Sequence, residues 1–300
     1  MIYDVTHVTT YSYATPVTFA RCNLRLTPRA DRGQEVLATS LAIDPKPASE
    51  TARTCFFGNR VTTLTIEKTH RKLVFTARSR VDVRRDPLPV PLGGETLAEV
   101  RRQAIEAESI DGSAPAHFLF PSDRVPAYVP AADYARESFA EGRPALEGAL
   151  DLIRRIRADF TYDPDATKVS TPLSEAFAAR HGVCQDFSHI AIAGLRGLGL
   201  PAAYVSGYLR TIPPPGKPRL AGADASHAWL RVWLGRRLGW IGLDPTNAIP
   251  ERDDHVVLAM GRDYSDVAPV DGILFGAGGQ RVSVAVDVVE VAADRARPVP

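Results

Sequence analysis

The first 85 residues carry no apolar stripe at helical spacing. Three runs are dense in β-branched and aromatic side chains: Thr6-His7-Val8-Thr9-Thr10-Tyr11-Ser12-Tyr13, Arg60 to Ile66 and Lys72 to Ala77. Such residues suit a pleated, half-buried surface, so the runs read as strands. Asp44-Pro45-Lys46-Pro47 and Phe57-Gly58-Asn59 supply turn chemistry between them. Several short strands without a helical pattern predict a small β-sandwich over residues 1–85, without catalytic groups.

Prolines and glycines crowd residues 86–95, the composition of a linker. A proline-punctuated helical pattern follows, and residues 86–144 read as linker and helical connection. From residue 145 the pattern changes. Leu146, Leu150, Ile153 and Ile156 share one face and predict a helix over 145–159. A second helix starts near Cys184, where Phe187, Ile190, Ala191, Leu195 and Leu198 fall at helical spacing. Gly182 ahead of it suits a backbone conformation other residues resist. Gly199 and Pro201 mark its end. Strands are expected over 202–209, 227–234 and 240–244, with a proline-rich loop at 212–218 and a hairpin turn at 235–239. Alternating β-branched residues predict a last strand over 281–291. Residues 145–300 thus form an α+β core with a C-terminal β extension.

Composition narrows the function classes. The net charge is +1, so no bulk field favours nucleic acid or an anionic membrane. The longest apolar stretch, 187–207, is broken by Arg196, glycines and Pro201, which argues against a membrane span. The start lacks a basic segment followed by an apolar one, so no signal peptide is read. Three widely spaced cysteines, Cys22, Cys55 and Cys184, form neither a disulfide framework nor a CxxC metal pair, and suggest a reducing, cytoplasmic setting.

Cys184 stands where a thiol can become reactive. A thiolate is the nucleophile, and a helix N-terminus and a neighbouring imidazolium both favour it. His227 begins one strand and Asp244 ends the next. In an antiparallel hairpin these positions meet. The carboxylate can hold one imidazole nitrogen while the other faces the thiol, the arrangement of nucleophile, base and orienting acid.

Gly182-Val183-Cys184-Gln185-Asp186-Phe187-Ser188-His189, Ser226-His227-Ala228-Trp229 and Leu243-Asp244-Pro245-Thr246-Asn247 resemble the three catalytic blocks of the bacterial transglutaminase-like family, in that family's order. Phe160 to Pro164 resembles its upstream motif, and His255 to Gly272 a downstream segment. The opening, Tyr3 to His7 through Leu26 to Arg29, is similar to its N-terminal domain. The resemblance spans most of the chain. It implies a papain-like transglutaminase core preceded by a β-sandwich-like domain, and acyl transfer through a Cys184 thioester. The substrate would be a peptide or protein amide, and the acceptor a small amine or water. No cofactor follows, and no acidic loop with EF-hand spacing supports calcium.

Other residues have weaker claims. Gln185 follows the nucleophile and could donate to an oxyanion; Tyr162 could bring a hydroxyl. Trp229 shares a strand face with His227 and could wall the site, whereas Trp233 reads as core. Asp186 and His189 read as supporting residues. His181, Cys184, Asp186 and His189 match no common zinc spacing. Arg262, in Gly261-Arg262-Asp263-Tyr264-Ser265-Asp266, either grips a substrate carboxylate or braces its own loop against the nearby acids, and the acids favour bracing. The competing reading of the whole chain is a catalytically silent module that uses the fold for interaction.

Overall fold

The structure, a computed structural model, describes residues 1–88, 94–106, 108–211 and 225–291. The expected proline-rich loop at 212–218 and the middle of the expected linker, 89–93, lie outside the described residues.

Six strands come first: β1 (Ile2–Val17), β2 (Phe19–Leu24), β3 (Gln34–Asp44), β4 (Ser49–Thr54), β5 (Arg60–Ile66) and β6 (His70–Val83). Along β1, Tyr3, Val5, His7 and Thr9 are buried while their neighbours are half-buried, the period of two that a one-sided sheet requires. Helices α1 (Leu97–Ile105), α2 (Val129–Arg136) and α3 (Ala145–Asp159) follow, then β7 (Thr161–Tyr162), α4 (Leu173–Ala179), β8 (His181–Gly182) and α5 (Cys184–Gly197). Next come β9 (Ala202–Leu209), β10 (Ala225–Trp233), α6 (Gly235–Leu238), β11 (Trp240–Asp244), β12 (Ile249–Pro250) and β13 (His255–Gly261). The chain closes with α7 (Tyr264–Val267), β14 (Val270–Phe275) and β15 (Gln280–Glu290). The expected hairpin turn is a single helical turn, α6, which begins at Gly235 and is followed by Gly239, at φ 87° and 65°, where a side chain would be strained.

Eight strands make the sandwich, in the orders β15-β1-β6-β3 and β14-β2-β5-β4. Leu24, Leu64 and Ile66 from one sheet pack with Leu73, Phe75 and Ala77 from the other. The last strand, expected as part of an extension of the core, completes the sandwich instead, together with β14. β15 runs antiparallel to β1 from Tyr3↔Glu290 to Tyr13↔Gln280, and β14 to β2 from Leu24↔Val270 to Phe19↔Phe275. Each covers a strand edge that would otherwise be bare.

The core sheet runs β12-β11-β10-β9-β13. Phe187, Ile190, Ala191 and Leu195 of α5 share one apolar cluster with Ala228, Leu230 and Val232 of β10, so the helix lies on that face. Tyr208, Val256 and Leu258 pack with Tyr3, Val5 and Val81 of the sandwich. Strand β13 ends the sheet, and its free side is occupied by two side-chain amides. Gln34 exchanges two hydrogen bonds of 2.8 Å with the Val257 backbone, and Asn59 does the same with Met260 at 2.8 and 2.9 Å.

A buried ion cluster ties the same two layers. Arg231 of β10 pairs with Asp31 and, at 2.8 Å, with Glu251, and Arg85 also reaches Glu251 at 2.8 Å. Burial alone would raise the Glu251 carboxyl, but Arg231 and then Arg85 hold it down to about 2. A carboxyl depressed by folding stabilises above its unfolded value near ~4.3 and loses that contribution as pH falls toward the folded value. The advantage in unfolding free energy of wild type over Glu251→Gln should therefore narrow by about 2 kcal/mol between pH ~5.5 and ~3. Urea titrations at both pH values measure it; an unchanged difference would show that Glu251 is not the ionised partner.

Candidate active site

The start of α5 is built by the residues around it. Strand β7 pairs in parallel with β8, Thr161 beside His181 and Tyr162 beside Gly182, which brings Tyr162 to the helix entrance. Asp186 turns back to accept the Val183 N–H at 2.9 Å and the Thr167 hydroxyl at 2.6 Å. This is the return half of a capping box; Val183 has no side-chain acceptor for the other half. A Cβ on Gly182 would lie 2.7 Å from Asp186 Oδ2. Gly182 is thus needed for close approach, and the special backbone conformation expected there is not among the positive-φ positions.

Cys184 is the first residue of α5 and half-buried. Cys184 acts on the His227 imidazole strongly enough to raise its pKa, which places the thiol beside that ring. His227 Nε2 meets Asp244 Oδ2 at 2.8 Å, which leaves Nδ1 as the nitrogen for the thiol. Asp244 is fully buried and gathers further donors. Asn247 Nδ2 reaches Oδ2 at 2.7 Å, and the Thr246 and Asn247 N–H groups reach Oδ1 at 2.9 and 3.2 Å. Burial by itself would raise this carboxyl; the bonds from His227 and His255 hold it well below the usual range. Burial by itself would lower His227, but Asp244 and Cys184 carry it up to about 10. Both shifts come from the one His227–Asp244 contact, and both favour the charged pair, a buried carboxylate facing an imidazolium.

His255, which opens the downstream segment and has no role assigned by its sequence, is the second histidine on this carboxylate. It is fully buried at the start of β13, with Nε2 3.3 Å from Asp244 Oδ2. Trp229 is also fully buried, nearly parallel to His227 at 6.0 Å between ring centroids and edge-on to His255 at 5.1 Å. The Trp229 ring lies over Gly207 of β9, where a Cβ would be 2.5 Å from it. The missing side chain leaves room for the Trp229 ring, which packs against both histidines. Asn247 belongs to the block around Asp244, but nothing in the sequence marks its side chain as a partner of the carboxylate. For His255 the signal was the one that found His227, a histidine opening an apolar strand.

The other expected site residues fall in different places. Tyr162 is exposed, packs edge-on to Phe187 at 6.4 Å, and has its hydroxyl pushed upward by burial and then by Cys184. Gln185 donates to the Val169 carbonyl at 3.1 Å, tying down the loop before α4. His189 is buried, its pKa lowered to about 4 by burial, and its Nε2 accepts the Tyr264 N–H at 3.3 Å. It anchors α7 and does not join the thiol. Trp233 is buried in the core. Arg262 grips Asp266 with two nitrogens, at 2.8 and 3.0 Å. Its carbonyl accepts from Arg196, twelve residues along α5 from Cys184, about 18 Å in a helix. The loop is braced, and the guanidinium does not face the thiol.

Cys22 is buried, and burial pushes its thiol up to about 11. The residues weighed for zinc do not converge: His181 bonds the Ala179 carbonyl, while Asp186 and His189 are engaged as described. Among the described residues, His227, Asp244 and His255 are the trio whose ligand atoms lie within 4.8 Å of one another. Those atoms already bond to each other through Asp244 Oδ2.

A thiol at a helix start, with imidazole and carboxylate presented by an antiparallel sheet, defines a papain-like α+β site. The comparisons with known proteins make the class specific. The model of the bacterial transglutaminase-like N-terminal region matches residues 3–82, and that of the transglutaminase-like superfamily matches residues 132–245. An uncharacterized protein of Mycobacterium tuberculosis is 40% identical over 296 residues, 97% of this chain and 94% of its own length. One of Mycobacterium leprae is 30% identical over 292 residues, 96% and 98% of the two chains. The chain belongs to the bacterial transglutaminase-like family. A solved structure of a candidate cysteine protease from Cytophaga hutchinsonii superposes with a TM-score of 0.70 at 21% identity, covering 97% of this chain and 92% of that one, a likeness of fold. No helix among the described residues is long and apolar enough to cross a membrane.

Proposed function

We propose that the protein is a thiol-dependent enzyme that takes the acyl group of a peptide or protein amide onto Cys184. The observation that carries this reading is the 2.8 Å bond from His227 Nε2 to the buried Asp244, on an imidazole whose pKa is also raised by Cys184 at the first position of α5. Cys184 Sγ attacks the amide carbonyl. The N–H groups at the start of α5, which have no carbonyl one turn back, receive the oxyanion. His227 gives its proton to the leaving ammonia or amine as the C–N bond breaks, and a thioester remains. Water or an amine then attacks, His227 takes the incoming proton, and the C–S bond breaks to return the thiolate. Water as acceptor gives deamidation or peptide hydrolysis; an amine gives transamidation. Asp244 keeps the imidazole oriented throughout and stays ionised. The unpaired cysteines fit a cytoplasmic, reducing setting.

Iodoacetamide labelling at pH ~7 with peptide mapping tests the nucleophile. Cys184 should react at least about tenfold faster than Cys22 and Cys55. Incubation with a peptide library should then add an acyl mass to Cys184 that hydroxylamine removes. Equal sluggishness of all three thiols would favour the silent scaffold.

A further inference from the structure

We infer that His255 is a positioning residue of the same site, holding the Asp244 oxygen that His227 also bonds. This rests on the thiol-enzyme reading above. The backbone N–H of Arg252 points at His255 Nδ1 at 3.2 Å. A backbone N–H can only donate, so Nδ1 carries the lone pair and Nε2 carries the hydrogen. Nε2 lies 3.3 Å from Asp244 Oδ2, the oxygen that also takes the bond from His227. The carboxylate thus accepts from two imidazoles on one oxygen, while Asn247 and the backbone N–H groups hold its plane.

The His255 ring has little freedom. It is fully buried, Trp229 meets it edge-on, and Arg252 fixes the orientation of Nδ1. Arg252 follows Glu251, which is clamped by Arg231 and Arg85. A donor built this firmly does one thing for chemistry: it keeps Oδ2 in place and unprotonated, facing His227, while charge moves between thiol and imidazole. Packing alone needs only a ring-sized apolar group in the same hole.

His255→Phe and His255→Gln separate the two roles. Phe fills the space without a donor; Gln places an amide N–H near the position of Nε2. Iodoacetamide labelling of Cys184 at pH 7 should slow about tenfold in His255→Phe and return to within about threefold of wild type in His255→Gln. Equal labelling of His255→Phe and wild type would overturn the inference, as would a Gln protein as slow as the Phe protein. A second measurement needs no variant. Histidine 15N spectra of the wild-type protein at pH 8 should show the His255 proton on Nε2; a proton on Nδ1 would overturn the assignment. Failure of the parent reading looks different: wild-type Cys184 would be no faster than Cys22 and Cys55, and the positioning role would fall with it.

Discussion

A Cys184→Ala protein is expected to lose at least about 10⁴-fold in turnover while remaining folded. The thiol is half-buried at the first position of α5, and alanine is at home in a helix. Removing it deletes the bond-forming atom and little of the packing. His227→Ala should cost a similar factor, because the thiol then has neither base nor cationic neighbour. The informative protein is the double variant. Groups that act as one unit are not additive, so Cys184→Ala with His227→Ala should be no slower than either alone. Steady-state assays on whichever amide the acyl-trapping experiment identifies would measure this. Losses that multiply would mean that the two residues contribute separately.

Asp244→Ala should show the opposite balance, a smaller loss of turnover and a larger loss of stability. The nucleophile and base survive, so turnover should fall by about 10²–10⁴-fold through loss of orientation. The fold suffers more. The carboxylate is fully buried and takes bonds from His227, His255, Asn247 and two backbone N–H groups. All become orphaned donors, one of them on an imidazolium, and breaking a buried pair of this kind costs about 3–5 kcal/mol. Asp244→Asn should lose comparable turnover with less destabilisation, since the shape is kept while one oxygen acceptor becomes a donor. Because folding depresses the Asp244 carboxyl, its contribution is present above the ordinary carboxylate range and is lost as pH falls. Denaturant unfolding of wild type and both variants at neutral pH checks the order. An Asp244→Ala protein as stable as wild type would contradict the hydrogen-bond count.

What the sequence disclosed here follows the range of the interactions. Helix α3 spans the predicted 145–159, and α5 starts at the predicted cysteine, because helical periodicity is written in neighbours three and four apart. His227 and Asp244 were legible for a similar reason: one short connection separates their strands, and an antiparallel hairpin leaves few choices. His255 was not. It reaches Asp244 from β13, which pairs with β9 and not with β10, so no local pattern brings the two together. The pairing of β15 with β1 was illegible too, since alternation announces a strand without saying which partner it takes. Arg262 shows a milder case. The acids nearby in sequence already pointed to bracing, and Asp266 supplies it.

The placement of β14 and β15 has a consequence for how the chain is made. Strands β1 and β2 emerge early from the ribosome, but each is completed by a strand from residues 270–290. At about 5–20 residues per second, translation of the intervening core holds those edges open for roughly ten to forty seconds. Through that interval the nascent sandwich presents bare strand edges, which invite pairing with other chains. A premature stop after the core would therefore do its damage in strands made before the core. It would remove none of Cys184, His227 or Asp244, yet leave the first-made layer permanently unfinished.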